Sequence, residues 1–169
     1  MNKIEVKLAN RSDMRALAKI QVDSWSVAFK DILSKETLEK YQDVEEFTNF
    51  FESVFDSKKG TFYIAYLDEK PCGEVFWCDS DEEDNLDCVE VVAFHSLKET
   101  WGKGVGKAMM DRTLQDILKS GKYKAYLWVF KDNYRARKFY EKCGFKSDGV
   151  ERISDLDGAL EVRYWRYII

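Results

Sequence analysis

The chain has 169 residues, of which 45% are apolar and 34% charged, with nine glycines and a single proline. That balance excludes a disordered segment, a collagen-like fibre and a low-complexity linker. A chain this long buries roughly 70% of the surface its unfolded form exposes, so it needs no staples. The net charge of −4 hides a division, because residues 98–146 hold 13 basic and 5 acidic residues while the remainder holds 14 and 26. A basic third inside an acidic protein points to one anionic ligand rather than a nucleic-acid groove, although lysines that only solvate helix faces give the same count.

No run of 18 apolar residues is present, so no membrane span is expected. The start, Met1 to Glu5, lacks the apolar stretch and small-residue cleavage site of a signal peptide. Cys72, Cys78, Cys88 and Cys143 form no C-x-x-C pair and there is one histidine, so neither a metal site nor a disulfide framework is expected. The expectation is one cytoplasmic domain over residues 1–169 with free thiols.

Ile4, Val6 and Leu8 alternate with charged residues and predict a half-buried strand. Ser12-Asp13 offers an N-cap, and Met14, Leu17, Ala18, Val22, Trp25 and Phe29 follow at helical spacing. Phe47, Phe50, Phe51, Val54 and Phe55 predict a second helix, ended at Lys58-Lys59-Gly60. Strands are predicted over residues 61–67 and 72–78, joined by Asp68-Glu69-Lys70-Pro71. The acidic run 79–85 reads as a solvated hairpin loop before a strand over 86–97. A helix then opens at Gly104 and closes at Ser120-Gly121, and a buried-type strand spans 126–130. Asp132-Asn133 can cap a helix that buries Ala136, Phe139, Tyr140 and Cys143, and a hairpin around Leu156-Asp157-Gly158 closes the chain. An antiparallel meander, a strand-helix-strand unit and a final hairpin predict an α/β fold, a mixed sheet of about seven strands with helices on both faces.

The most informative segment is Trp101-Gly102-Lys103-Gly104-Val105-Gly106-Lys107, between a strand and a helix. Glycines at alternate positions let the backbone turn tightly and approach a ligand closely. The free N–H groups of the helix start then suit a phosphate. The spacing is neither that of a Walker A loop nor G-x-G-x-x-G with a following acidic residue.

This loop, the strand residues 90–96 before it, and residues 128–145 together resemble the GNAT superfamily of N-acetyltransferases. Positions 101–106 match the family's [QR]-x-x-G-x-[GA] loop except at Trp101. Residues 129–145 match every fixed position of V-x-x-x-N-x-x-A-x-x-F-Y-x-x-x-G-F. The order of elements is also the family order. The resemblance implies an acetyl-CoA-dependent N-acetyltransferase in which an acceptor amine attacks the thioester directly in a ternary complex, with no metal. The main chain of Gly102, Lys103, Gly104, Val105, Gly106 and Lys107 would hold the pyrophosphate, Ser96 and Leu97 the pantetheine arm, and Asn133 the same arm. Tyr140 corresponds to the tyrosine near the sulfur and would act as general acid. Glu90 aligns with a strand glutamate that serves some members as general base, although an ion pair with a neighbouring strand would explain it equally. His95, the only histidine, falls by strict alternation on the face opposite Glu90. Asn133 also suits a plain helix cap, and Tyr140 a plain core position.

The acceptor is expected to lie against the first two helices, around Trp25, Phe29 and Asp31, and the loops after Cys78 and Ile153. A small amine is favoured, with no nucleic-acid or membrane partner; homodimers are common in the family. Acetylation of a protein N-terminus or lysine, and a non-catalytic acyl-CoA-binding sensor, are the alternatives.

Overall fold

A computed structural model describes residues 1–169. Its seven strands lie in the order β1-β2-β3-β4-β5-β7-β6. In chain order the elements are β1 (Ile4–Leu8), α1 (Met14–Ala28), α2 (Lys35–Lys40), α3 (Val44–Asp56), β2 (Gly60–Leu67) and β3 (Lys70–Asp79). They continue with β4 (Val89–Ser96), α4 (Val105–Lys119), β5 (Lys124–Phe130), α5 (Tyr134–Lys142), β6 (Lys146–Ile153) and β7 (Leu160–Tyr167). This is the expected mixed sheet, antiparallel from β1 to β4 and through β5-β7-β6.

Period-2 strands and period-3.6 helices divide the apolar residues between two layers. On one face Met14, Leu17, Ala18 and Ile20 of α1 meet Phe51 of α3 and Phe62 and Ile64 of β2. On the other, Met109, Met110, Leu114 and Ile117 of α4 and Tyr140 of α5 meet Val75, Val89, Val91, Leu127 and Val129. The helices therefore lie on both faces, α1 and α3 opposite α4 and α5.

Two local expectations are corrected. Asp13 stands at the N-cap of α1 as expected, but its carboxylate turns back instead of capping that helix. Asn10 Oδ1 accepts from Ser12 N, and Asn10 N–H donates to Asp13 Oδ2 at 2.9 Å, closing a box over the single 3₁₀ turn that precedes α1. The acidic run is not a free solvated loop. Glu82 and Asp84 each lie 3.0 Å from the guanidinium of Arg163, which is only 7% exposed, and Asp148 lies 2.7 Å from its Nε. Glu82 also accepts from Trp128 Nε1 at 2.7 Å. A buried guanidinium needs its charge and its planar fork satisfied, and this segment supplies both. The short α2, begun by Ser34, carries no apolar periodicity long enough to be legible in the sequence.

Candidate functional site

One parallel pairing in the sheet creates the site. β4 and β5 are in register only at Val89 opposite Ala125 and Glu90 opposite Tyr126. Beyond these, β4 pairs with β3 alone and β5 with β7 alone, so their facing edges diverge. The cleft between them opens into a cavity of about 500 Å³, within the range typical of small-molecule sites.

On the α4–α5 side the cavity is lined by Gly102, Gly104, Gly106, Lys107, Asn133, Arg135, Phe139 and Tyr140. Gly104 has φ 90° and starts α4 without any capping side chain. The first main-chain bond of that helix is Ala108 N–H to the Gly104 carbonyl. The N–H groups of Val105, Gly106 and Lys107 are therefore unpaired at the positive end of a 15-residue helix, a natural anion seat. Val105 anchors that turn, its side chain buried in the core. Gly106 is needed for another reason: a Cβ there would stand 3.2 Å from the Phe139 ring.

Trp101 departs from the family loop, and the fold shows what its ring does. The indole N–H donates to the Ser96 carbonyl at 3.1 Å, and the Arg135 guanidinium lies over the ring at 3.5 Å. Burial lowers the Arg135 pKa, and no carboxylate opposes that. A cation absent at position 101 is thus delivered to the same cavity from α5. Sequence reasoning missed it, because nothing in the spacing links 101 to 135.

Asn133 Oδ1 caps α5 by accepting from Ala136 N at 3.2 Å, which leaves its Nδ2 amide group to donate to a ligand. Tyr140 is 8% exposed, with its ring against Phe94, Phe139 and Phe145. Burial raises its pKa, so the hydroxyl keeps its proton across the neutral range. Ser96 lines the cavity. Leu97 does not: its N–H is taken by the Cys72 carbonyl at 2.9 Å. Lys103 is exposed and lies outside the lining.

The α1 side is lined by Trp25, Phe29, His95, Trp128, Phe130, Leu156 and Glu161. Trp25 and Phe29 are where the helical spacing put them. Asp31 is corrected: α1 ends at Ala28, and the following turn carries Asp31 to the surface, outside the cavity. The β6–β7 turn contributes Leu156, whereas the loop after Cys78 contributes nothing to the lining.

The face of His95 is also corrected. The β3–β4 register passes from Phe76 opposite Ala93 to Trp77 opposite Val91, leaving Val92 as an extra residue. This bulge breaks the alternation. Glu90, opposite Cys78, and His95, opposite Glu74, consequently share the α1 face. His95 Nε2 accepts from Trp25 Nε1 at 3.2 Å, and burial pushes its pKa down to about 4. Glu90 sits at the closed apex of the cleft and is not among the lining residues. The Tyr126 hydroxyl donates to it at 3.3 Å, and burial raises its carboxyl above the ordinary value.

The sequence model of the acetyltransferase (GNAT) family matches residues 23–145. An uncharacterized N-acetyltransferase of Archaeoglobus fulgidus is 27% identical over 140 residues, 81% of this chain and 89% of its own. One from Bacillus subtilis is 29% identical over 135 residues, 77% of this chain and 73% of its own. Among solved structures, the PaiA N-acetyltransferase of Thermoplasma acidophilum, in complex with coenzyme A, superposes with a TM-score of 0.75 at 20% identity, covering 95% of this chain and 98% of that one. YncA of Salmonella typhimurium, solved with its cofactor acetyl-CoA, gives 0.76 at 11% identity, covering 99% and 95%. With its sheet order, divergent β4–β5 pair and glycine loop, this chain belongs to the acetyltransferase (GNAT) family.

Proposed function

We propose that residues 1–169 act as one domain that transfers the acetyl group of acetyl-CoA to a primary amine, by direct attack within a ternary complex. The observation that carries this reading is one cavity crossing the sheet, with the α4 N-terminus, Asn133 and Tyr140 on one side and an aromatic chamber on the other. Acetyl-CoA supplies the activated acyl group. The unpaired N–H groups of residues 105–107 and the Arg135 guanidinium fit its pyrophosphate. The Asn133 amide and the free edge of β4 fit the pantetheine arm, and that same edge offers N–H groups to the developing oxyanion. Glu90 takes the proton of the amine through water held at the apex of the cleft. Tyr140 donates a proton to the departing thiolate.

A small acceptor is supported by the strap across the α1 side. Asp157 of the β6–β7 turn accepts from Ser34 N at 2.6 Å and from the Thr37 hydroxyl at 2.5 Å, tying that turn to the start of α2. This strap fixes the turn that carries Leu156 into the lining and narrows the α1 side, which favours a small acceptor over a polypeptide. The test is thiol release from acetyl-CoA with a panel of polyamines, amino acids, aminoglycosides and short peptides, with products weighed by mass spectrometry. Amine-dependent release with one acetyl group gained by the amine is expected. Binding of acetyl-CoA without any amine-dependent release would overturn the reading.

A further inference from the structure

The chamber on the α1 side is nearly free of available charge. Phe29 meets Phe130 edge-on at 5.0 Å and Trp25 at 5.4 Å, so three rings brace one another. Trp25 is further fixed by its bond to His95, which uses the Nε2 lone pair and leaves a neutral imidazole in the wall. Glu161 is the only acid lining the cavity, and Arg152 Nε holds it at 2.6 Å. That guanidinium also lies 4.2 Å from the Trp128 ring centroid. The two cations that line the cavity, Lys107 and Arg135, belong to α4 and α5 on the opposite side.

We propose that the acceptor is a primary amine carried on a single uncharged aromatic or aliphatic body, and that Trp25, locked by His95, selects it. The proposal rests on the acetyl-transfer reading and names its substrate class. Ring faces can hold one ammonium, the one that reacts, by cation–π attraction. A second ammonium of a polyamine would lose its water among rings, with Glu161 already held by Arg152 and Glu90 at the apex engaged by the reacting amine. The carboxylate of an amino acid would meet no free cation on this side. An apolar body instead replaces water along the whole wall, which is where binding free energy is available.

The test compares kcat/KM with acetyl-CoA for 2-phenylethylamine, spermidine and L-alanine, alongside binding of each to the coenzyme A complex by tryptophan fluorescence. A preference of at least tenfold for 2-phenylethylamine is expected. Trp25→Ala should raise its KM at least fivefold while acetyl-CoA affinity stays within twofold. Leu156→Asp, at a half-buried position packed beside Phe29 and Phe130 and used once its melting curve shows a retained fold, adds a free carboxylate and should raise kcat/KM for spermidine at least fivefold. Preference for spermidine or L-alanine, binding of none of the three, or an unchanged KM in folded Trp25→Ala would overturn the class. So would Leu156→Asp with no gain for spermidine. Selective binding of 2-phenylethylamine without turnover would uphold the class and overturn acetyl transfer instead.

Discussion

On the α4–α5 side of the cleft, the groups facing a ligand come from residues 101–107 and the helix turns from 133 to 140, and many are main-chain N–H groups. On the α1 side they are side chains gathered from α1, β4, β5 and the β6–β7 turn. The first kind of site depends on a local backbone shape, so a loop residue can change, as Trp101 has, without moving the N–H groups. The second kind depends on which side chains four distant segments deliver, so it can vary in chemistry while the sheet stays the same. On the proposed reading, the glycine-loop side carries what every turnover needs, and the aromatic side what distinguishes one acceptor from another.

Substitutions on the polar side should show up as rate or acetyl-CoA affinity, and those on the aromatic side as acceptor affinity. The largest expected effect is at Tyr140. Tyr140→Phe keeps the ring against Phe94, Phe139 and Phe145 and should cut turnover by roughly 10- to 10³-fold. Acetyl-CoA affinity should change by less than about 1 kcal/mol, since one hydroxyl is lost. Full activity across a pH series would return Tyr140 to the core alone.

Next comes Glu90→Gln, expected to lower turnover by about 10²-fold, the scale of a general base. Burial raises the Glu90 carboxyl above its ordinary value. On the proposed reading the ionised form acts as base, so the wild-type rate should fall as pH falls through that raised value, and the Gln variant should lose this limb. A retained rate with a lower melting temperature would make Glu90 a structural partner of Tyr126.

A smaller effect is expected at Arg135, which is exposed in part and should therefore be worth about 1 kcal/mol toward acetyl-CoA. Arg135→Ala should weaken acetyl-CoA binding and flatten its dependence on added salt, because a charge contact is removed. S-acetylpantetheine, which lacks the pyrophosphate, should bind the variant and the wild type equally. An equal loss for both ligands would mean that Arg135 only braces Trp101.

The smallest effect concerns Glu74, opposite His95 in the β3–β4 register, 1% exposed and with an unpartnered Oε1. Burial holds its carboxyl protonated well above the ordinary value. The folded state thus binds this proton more tightly than the unfolded state, a contribution present at low pH and lost as pH rises. Glu74→Gln should remove that loss, so melting temperature should decline less between pH 5 and pH 8 than in the wild type. Parallel curves would mean that the carboxyl ionises alike in both states.

The polar side was legible because its signals are local. Alternate glycines at 102, 104 and 106, then Asn133 and Tyr140 seven positions apart on one helix, carry their geometry in their spacing. The chain order of strands and helices, and with it the mixed sheet, followed from strand and helix periods and turn residues in the same way. Trp25 and Phe29 were legible as an apolar stripe, but not what they face, because Phe130 and Leu156 reach them only through the tertiary fold. His95 was misplaced because one extra residue at Val92 inverts the alternation, and a bulge leaves no mark in a run of apolar residues. The grip of Glu82 and Asp84 on Arg163 joins segments some 80 positions apart, and a run of acids reads the same whether solvated or paired.

The division of labour within the cleft is tested most directly by calorimetric titration of acetyl-CoA into the wild type, Gly104→Val and Trp25→Ala. At Gly104 the backbone φ is 90°, and an added Cβ would meet only Ile4 Cδ1 at 3.5 Å, so valine acts by strain on the loop rather than by clash. The account predicts that Gly104→Val weakens acetyl-CoA binding by about 1–3 kcal/mol through displaced N–H groups, while Trp25→Ala leaves it within twofold of the wild type. Unchanged affinity in folded Gly104→Val, or a larger loss in Trp25→Ala than in Gly104→Val, would contradict it.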